Sequence, residues 1–166
     1  TTADAPAIAA IHVDGWKTTY RGILPDALLD ALRVEDRLPL WLGWMDGPGV
    51  HTLVACREER VIGFVRLCPA RPIADPPPGY AEITHLYVDA RAHGTGAGRA
   101  LIGRAMEIAR GEGYRGVLLW VLEENRRARR FYESAGLRAD GTSHTDPAYL
   151  GNDAVEVRHA LSFATT

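Results

Sequence analysis

Tyr87-Val88-Asp89-Ala90-Arg91-Ala92-His93-Gly94-Thr95-Gly96-Ala97-Gly98-Arg99-Ala100-Leu101-Ile102 is the stretch that decides how this chain folds. An apolar β-type run ends at Val88, glycines stand at the alternate positions 94, 96 and 98, and an amphipathic helix follows at once. A strand that passes through a glycine-rich loop into a helix start aims several unpaired backbone N–H groups at one place. The helix dipole adds positive character there. An anion such as a pyrophosphate is the natural guest.

Outward from this stretch the pattern is regular. Ala81–Val88 is the strand that feeds the loop. Gly98–Glu112 carries Leu101, Ile102, Ala105, Ile108 and Ala109 at helical spacing, with Arg104, Glu107 and Arg110 opposite. Gly113 ends that helix, and Val117–Leu122 is apolar enough for a strand buried on both faces. Asn125–Ala135 reads as a second helix stopped by Gly136. Leu137–Gly141 and Ala154–Leu161 are the last strands. On the N-terminal side, Asp4 and Pro6 mark a helix start, with Ile8, Ile11, His12 and Gly15 on one face. Short helices follow at Asp26–Leu32 and Glu35–Trp44. His51–Arg57 and Val61–Leu67, joined by the charged turn Glu58–Arg60, form a hairpin. Pro69–Gly79 holds five prolines and is a stiff exposed loop. The order of helices, hairpin, strand–helix–strand–helix and strands is that of a mixed α/β sheet with a parallel crossover in its middle.

With 166 residues, 1–166 suits one domain with a core able to stand alone. A formal net charge of -2 gives no general pull toward nucleic acid or an anionic membrane. No apolar run approaches the roughly 18 residues that a membrane span needs. No basic-then-apolar leader opens the chain, which begins at Thr1. Cys56 and Cys68 sit in apolar β-like stretches and read as reduced core thiols, which places the protein in the cytoplasm. The six histidines are scattered without metal-ligand spacing, so no metal is expected.

Three segments together resemble the GNAT superfamily of acyl-CoA-dependent N-acetyltransferases. The glycine loop resembles that family's R/Q-x-x-G-x-G/A signature, and the helix after it resembles the signature's continuation. Leu119-Trp120-Val121-Leu122-Glu123-Glu124-Asn125-Arg126-Arg127-Ala128-Arg129-Arg130-Phe131-Tyr132-Glu133-Ser134-Ala135-Gly136-Leu137 resembles its second motif, L-x-V-x-x-x-N-x-x-A-x-x-F-Y-x-x-x-G-F. Trp16–Leu29 is similar to the early helical region of many bacterial members. The family's Gln/Arg position falls on His93. Arg91 also satisfies the literal pattern but sets the loop two residues early, whereas from His93 the glycines run directly into the helix. Such proteins usually open with a short strand, for which Thr1–Ala3 leaves little room.

The resemblance implies a mostly antiparallel central sheet with one parallel βαβ crossover and helices on both faces. It implies acetyl-CoA as co-substrate, bound by Leu86, Tyr87, Val88, His93, Gly94, Thr95, Gly96, Ala97, Gly98, Arg99, Asn125 and Tyr132. The strand before the loop should splay from its neighbour, leaving backbone groups near Leu86–Val88 for the pantetheine chain and the Val88 N–H for the thioester carbonyl. Tyr132 takes the place of the general acid: a phenol of pKa about 10 stays protonated at neutral pH. Its plainer reading is that Phe131 and Tyr132 form the helix's core face. Asn125 is equally a helix N-cap. Arg126, Arg127, Arg129 and Arg130 are a solvated face, or one or two of them meet the 3′-phosphate. Glu82, six residues before Val88, is the candidate base, with His85 its rival. The partner is an amine, a small molecule being favoured over a protein; Trp16, Tyr20, Trp41, Trp44, Pro69–Gly79 and Ser143–Asn152 are nominated to meet it. The family also allows a homodimer.

Two other readings stand beside this one. A non-catalytic acyl-CoA sensor or scaffold would keep the loop without the transfer. A dinucleotide-dependent oxidoreductase would use strand, glycines and helix with Glu123-Glu124, but the spacing G-x-G-x-x-G fails because Arg99 takes the sixth position.

Overall fold

The computed structural model describes residues 1–145 and 154–164. After a short 3₁₀ turn the chain forms α1 (Ala5–Thr19), α2 (Asp26–Ala31) and α3 (Val34–Trp44). The hairpin β1 (His51–Arg57) and β2 (Arg60–Pro69) leads to β3 (Tyr80–Val88), then α4 (Ala97–Gly111) and β4 (Gly116–Leu122). Helix α5 (Arg126–Ser134) and the strands β5 (Arg138–Thr145) and β6 (Val155–Ser162) complete it. One six-stranded sheet runs β1-β2-β3-β4-β6-β5, and only β3 and β4 pair in parallel. The mostly antiparallel sheet with a single crossover is therefore present. No helix among the described residues is long and apolar enough to cross a membrane.

Alternation along the strands sends successive side chains to opposite faces. On one face Val65, Leu67, Ile83, Val117, Leu119 and Val121 meet Leu101, Ile102, Ala105 and Ala109 of α4, with Phe131 and Tyr132 of α5 against them. On the other, Phe64 and Tyr87 meet α1 and α3, and Leu122 meets Trp16 and Leu29. Gly15 lets α1 lie against the Tyr87 ring, because a Cβ there would come within 2.5 Å of Tyr87 Cδ1.

One expectation changes. Cys68 is buried, but Cys56 is exposed: a register shift between Ala55 and Cys56 near the end of edge strand β1 turns that thiol out of the core. The proline loop is mostly exposed, and Arg158 on β6 ties it down by donating from Nη1 to the carbonyls of Ala74 (3.0 Å) and Asp75 (3.3 Å). Of the nominated span Ser143–Asn152, residues 146–152 lie outside the described residues.

Candidate active site

Beta3 and β4 pair only from Tyr80↔Gly116 to Glu82↔Leu118 and then part. The cause lies on the far side of β3, where the register against β2 slips between Arg66↔His85 and Leu67↔Ile83. The extra residue, Thr84, forms a bulge, and a bulge bends its strand and increases its twist. The bend comes just after Glu82, so the rest of β3 swings away from β4. Asp89 donates its N–H to Ile62 (2.8 Å). By the alternation of an antiparallel ladder, the peptide groups of Leu86 and Val88 then point away from β2 and into the opening.

The glycine loop stands at the mouth of this wedge. Gly94 and Gly96 have φ of 76° and 89°, a left-handed backbone that residues with a Cβ adopt at a cost. Gly96 is the N-cap of α4 and supplies no side-chain cap, so the first N–H groups of the helix are left for an outside acceptor. His93 leads into the loop. Arg127 Nη2 can only donate, and it lies 2.9 Å from His93 Nδ1, which fixes Nδ1 as the acceptor. Nε2 therefore carries the proton and donates to the Val88 carbonyl at 3.0 Å. One neutral imidazole thus links the end of β3, the loop and α5. Of the four arginines on α5, Arg127 is the one tied to the loop; Arg129 donates instead to the Glu123 carbonyl (3.1 Å). Arg99 bonds Ser134 Oγ on α5 (3.1 Å). Asn125 is buried, and its Oδ1 caps α5 by accepting the Ala128 N–H at 3.1 Å.

Tyr132 is half-buried against the α4 face. Burial, and then the nearby Tyr20, push its phenol well above the ordinary value. Tyr20 belongs to the cluster on the opposite face, where its hydroxyl lies 3.1 Å from that of Tyr87.

Glu82 is fully buried at the vertex of the wedge. Its carboxylate accepts from Arg71 Nε at 3.0 and 3.1 Å and from the Arg71 backbone N–H at 3.0 Å, and Arg71 Nη2 completes the fork. His85 is half-buried, with Nδ1 3.0 Å from Thr84 Oγ1. Burial, then His12, then Arg66, Arg71 and Arg37 press its pKa well below the ordinary value, so it is a weak base. Trp16 and Trp41 are core residues, while Trp44 is half-buried beside His85. The buried His12 accepts from Trp41 Nε1 at 3.0 Å. Arg37, Arg66 and Arg71 carried no sequence signal, because isolated arginines in a helix, a strand and a proline loop look like surface charge. Among the described residues no group of three or more His, Cys, Asp or Glu could hold a metal ion.

A glycine loop with uncapped helix N–H groups, suited to a diphosphate, and a parted strand pair fit an acyl-CoA transferase. Residues 15–137 match the acetyltransferase (GNAT) family, and the chain belongs to that family. It is 31% identical over 166 residues to the probable N-acetyltransferase Rv2775 of Mycobacterium tuberculosis, covering 95% of this chain and 88% of that one. Its fold is similar to that of a ribosomal-protein-alanine N-acetyltransferase from Brucella melitensis, with TM-score 0.76, 26% identity and coverage of 98% and 96%. It is also similar to that of the PaiA N-acetyltransferase from Thermoplasma acidophilum in complex with coenzyme A, with TM-score 0.75, 19% identity and coverage of 98% and 95%. The protein is an acetyl-CoA-dependent N-acetyltransferase.

Proposed function

We propose that the chain, acting as one domain, carries an acetyl group from acetyl-CoA straight onto the amine of a small molecule while both are bound. The opening between β3 and β4, with the uncapped start of α4 beyond it, carries this reading. The diphosphate rests on the N–H groups at the start of α4. The pantetheine amides use the free peptide groups of Leu86, as an added strand would, and leave the Val88 N–H for the thioester.

The acceptor must arrive as a free amine, since an ammonium of pKa about 10 has no lone pair to give. As its N–C bond forms, negative charge gathers on the thioester oxygen, where the Val88 N–H stabilises it. The C–S bond then breaks. A departing thiolate of pKa about 8.5 is less basic than the Tyr132 phenolate, so the phenol stabilises the sulfur by a hydrogen bond and solvent completes the proton. The amine's proton leaves through water toward Glu82, whose two oxygens Arg71 holds in a fixed direction. His85, whose basicity burial lowers, is the second choice. Two free cysteines fit a reducing compartment, and we place the protein in the cytoplasm.

The test combines calorimetry of acetyl-CoA with thiol release and mass spectrometry on a panel of small amines. One N-acetyl product per released thiol, with initial-rate lines that intersect, is expected. Parallel lines would mean an acetyl-enzyme and overturn direct transfer. Tight binding without release would mean a sensor.

A further inference from the structure

Several arginines of this molecule are paired with carboxylates. Arg21 meets Asp26 and Asp30, Arg60 and Arg91 share Asp89, and Arg158 meets Asp140. The face of the sheet opposite α4 breaks that pattern around His85. Arg66 of β2 meets Thr84 Oγ1 (3.1 Å), as His85 Nδ1 does (3.0 Å); Arg71 of the proline loop forks Glu82, three residues before His85; and Arg37 of α3 lies over Trp16, which packs on His12, whose ring is 5.0 Å from that of His85. Among the described residues only one carboxylate forms an ion pair with any of them, Glu82 with Arg71. Glu156 reaches Arg71 only as a more distant charge, and its Oε2 lies 3.1 Å from His144 Nε2.

The unused donors are specific. Arg66 spends Nε on the Trp44 carbonyl (2.8 Å) and Nη1 on Thr84 Oγ1 (3.1 Å) and Cys68 Sγ (3.4 Å), which leaves Nη2. Arg71 spends Nε and Nη2 on Glu82, which leaves Nη1 on a side chain that is 51% exposed. Half-buried Arg37 lies over the Trp16 ring, 5.6 Å from its centroid, and has no carboxylate partner among the described residues. Each fork is held from behind: by the Trp44 carbonyl, by buried Glu82 and by an aromatic face. A guanidinium anchored in this way loses little freedom when it binds, and its planar donors match an oxyanion. His85 supplies no counter-charge to this field, and Thr84, His85 and Tyr87 are all only half-buried, so the site is open.

We propose that the amine acceptor also bears a carboxylate, held by Arg37, Arg66 and Arg71 above His85, so that the substrate class is amino-acid-like. This rests on the transfer reading given above. Glu82, at the vertex of the wedge, and His85 are three residues apart on β3, about 10 Å along a strand. Amine and anion therefore belong to one short molecule. The same field disfavours a polyamine, whose second ammonium would face three guanidiniums.

The experiment compares matched acceptors: a set of amino acids, their carboxamides, and the amines that remain after removal of the carboxyl group. Thiol release gives kcat and KM, and thermal stabilisation of the intact enzyme, with acetyl-CoA present, reads binding independently of turnover. The free acids should exceed their carboxamides in kcat/KM by about tenfold or more. Arg37→Gln, on a helix surface, should raise KM for the acid several-fold while kcat, KM for acetyl-CoA and the rate on the carboxamide stay unchanged. Arg66→Lys, which keeps the charge but loses the planar fork, should also raise KM for the acid. Equal rates and equal stabilisation for acid and amide overturn the carboxylate site, and so does a stronger response to an amine bearing a phosphate monoester. Stabilisation by acids alone with no thiol release supports the site and overturns the transfer reading instead.

Discussion

The two faces of the sheet offer substrates different kinds of contact. On the α4 face the contacts come from the main chain: helix N–H groups behind Gly96, and peptide groups of β3 exposed because β4 has parted. On the α1 face they come from side chains, with guanidiniums propped on Trp44, Glu82 and Trp16. Main-chain donors recognise what every acetyl-CoA molecule shares, and they change little when one side chain is replaced. Side-chain donors recognise what distinguishes one amine from another, and a single substitution can redirect them. A constant donor half and an adjustable acceptor half follow from this division.

Tyr132 is the test that can break the division most sharply, because it is the one side chain on which the donor half depends for chemistry. Tyr132→Phe should lower kcat by about 10²-fold, the usual scale for a lost acid or hydrogen bond to a developing charge. Acetyl-CoA affinity measured by calorimetry should hardly move. Unchanged turnover would leave the phenol as packing alone. Because its pKa is raised, the phenol stays protonated throughout neutral and mildly alkaline solution, and no loss of rate below about pH 10 should trace to it.

Gly96 probes the main-chain side. Its φ of 89° costs a residue with a Cβ about 1–2 kcal/mol, although the space around it is open. Gly96→Ala should therefore weaken acetyl-CoA binding by about tenfold without altering the acceptor's KM. A rise in the acceptor's KM instead would show that the halves are coupled.

This division also explains what could be read from the chain. Main-chain sites need particular residues at fixed short spacings, so glycines 94, 96 and 98 and the run Asn125–Tyr132 announce themselves. The parting of β3 and β4 was legible only through the resemblance, since the Thr84 bulge that causes it has no pattern of its own. Side-chain sites are assembled across the fold. Arg37, Arg66 and Arg71 come from a helix, a strand and a loop, and nothing local marks them as neighbours. Nor did the sequence show Glu82 forked by Arg71, because that contact needs the proline loop folded back by Arg158. Asn125 and Phe131 show that a structural role was legible as well: one caps, the other packs against the Cα side of Gly98.

The acceptor half has its own measure in His12. Burial first, and the charge of Arg37 second, lower its pKa to about 3, and its Nδ1 must stay unprotonated to accept from Trp41. The unfolded chain, with a histidine of ordinary pKa near 6.5, binds the extra proton between about pH 6.5 and 3. Stability from this group is thus fully present above about pH 6.5 and drains as the pH falls, by about 1 kcal/mol per unit. Denaturant midpoints at pH 7, 6 and 5 should show the slope. His12→Leu should flatten it while lowering stability at pH 7 by about 1–3 kcal/mol, since Trp41 loses its acceptor. A slope that survives the substitution would assign the acid sensitivity elsewhere.

Arg127 gives the smallest effect and the finest distinction. It is exposed, and its one contact is with His93, whose other nitrogen holds the Val88 carbonyl. If it serves the 3′-phosphate, Arg127→Ala should weaken coenzyme A by about threefold to tenfold, the worth of one exposed charge-assisted contact. Binding of 3′-dephospho-coenzyme A should then be untouched. If it steadies the diphosphate instead, both should weaken equally. Arg126→Ala and Arg130→Ala, on the same helix but without a tie to the loop, should change neither. His93→Ala separates the two roles of the imidazole: it frees Arg127 and also releases the Val88 peptide. A fall in kcat with that variant, absent in Arg127→Ala, would mean that His93 positions the N–H that meets the thioester oxygen, in which case even the main-chain half rests on one side chain.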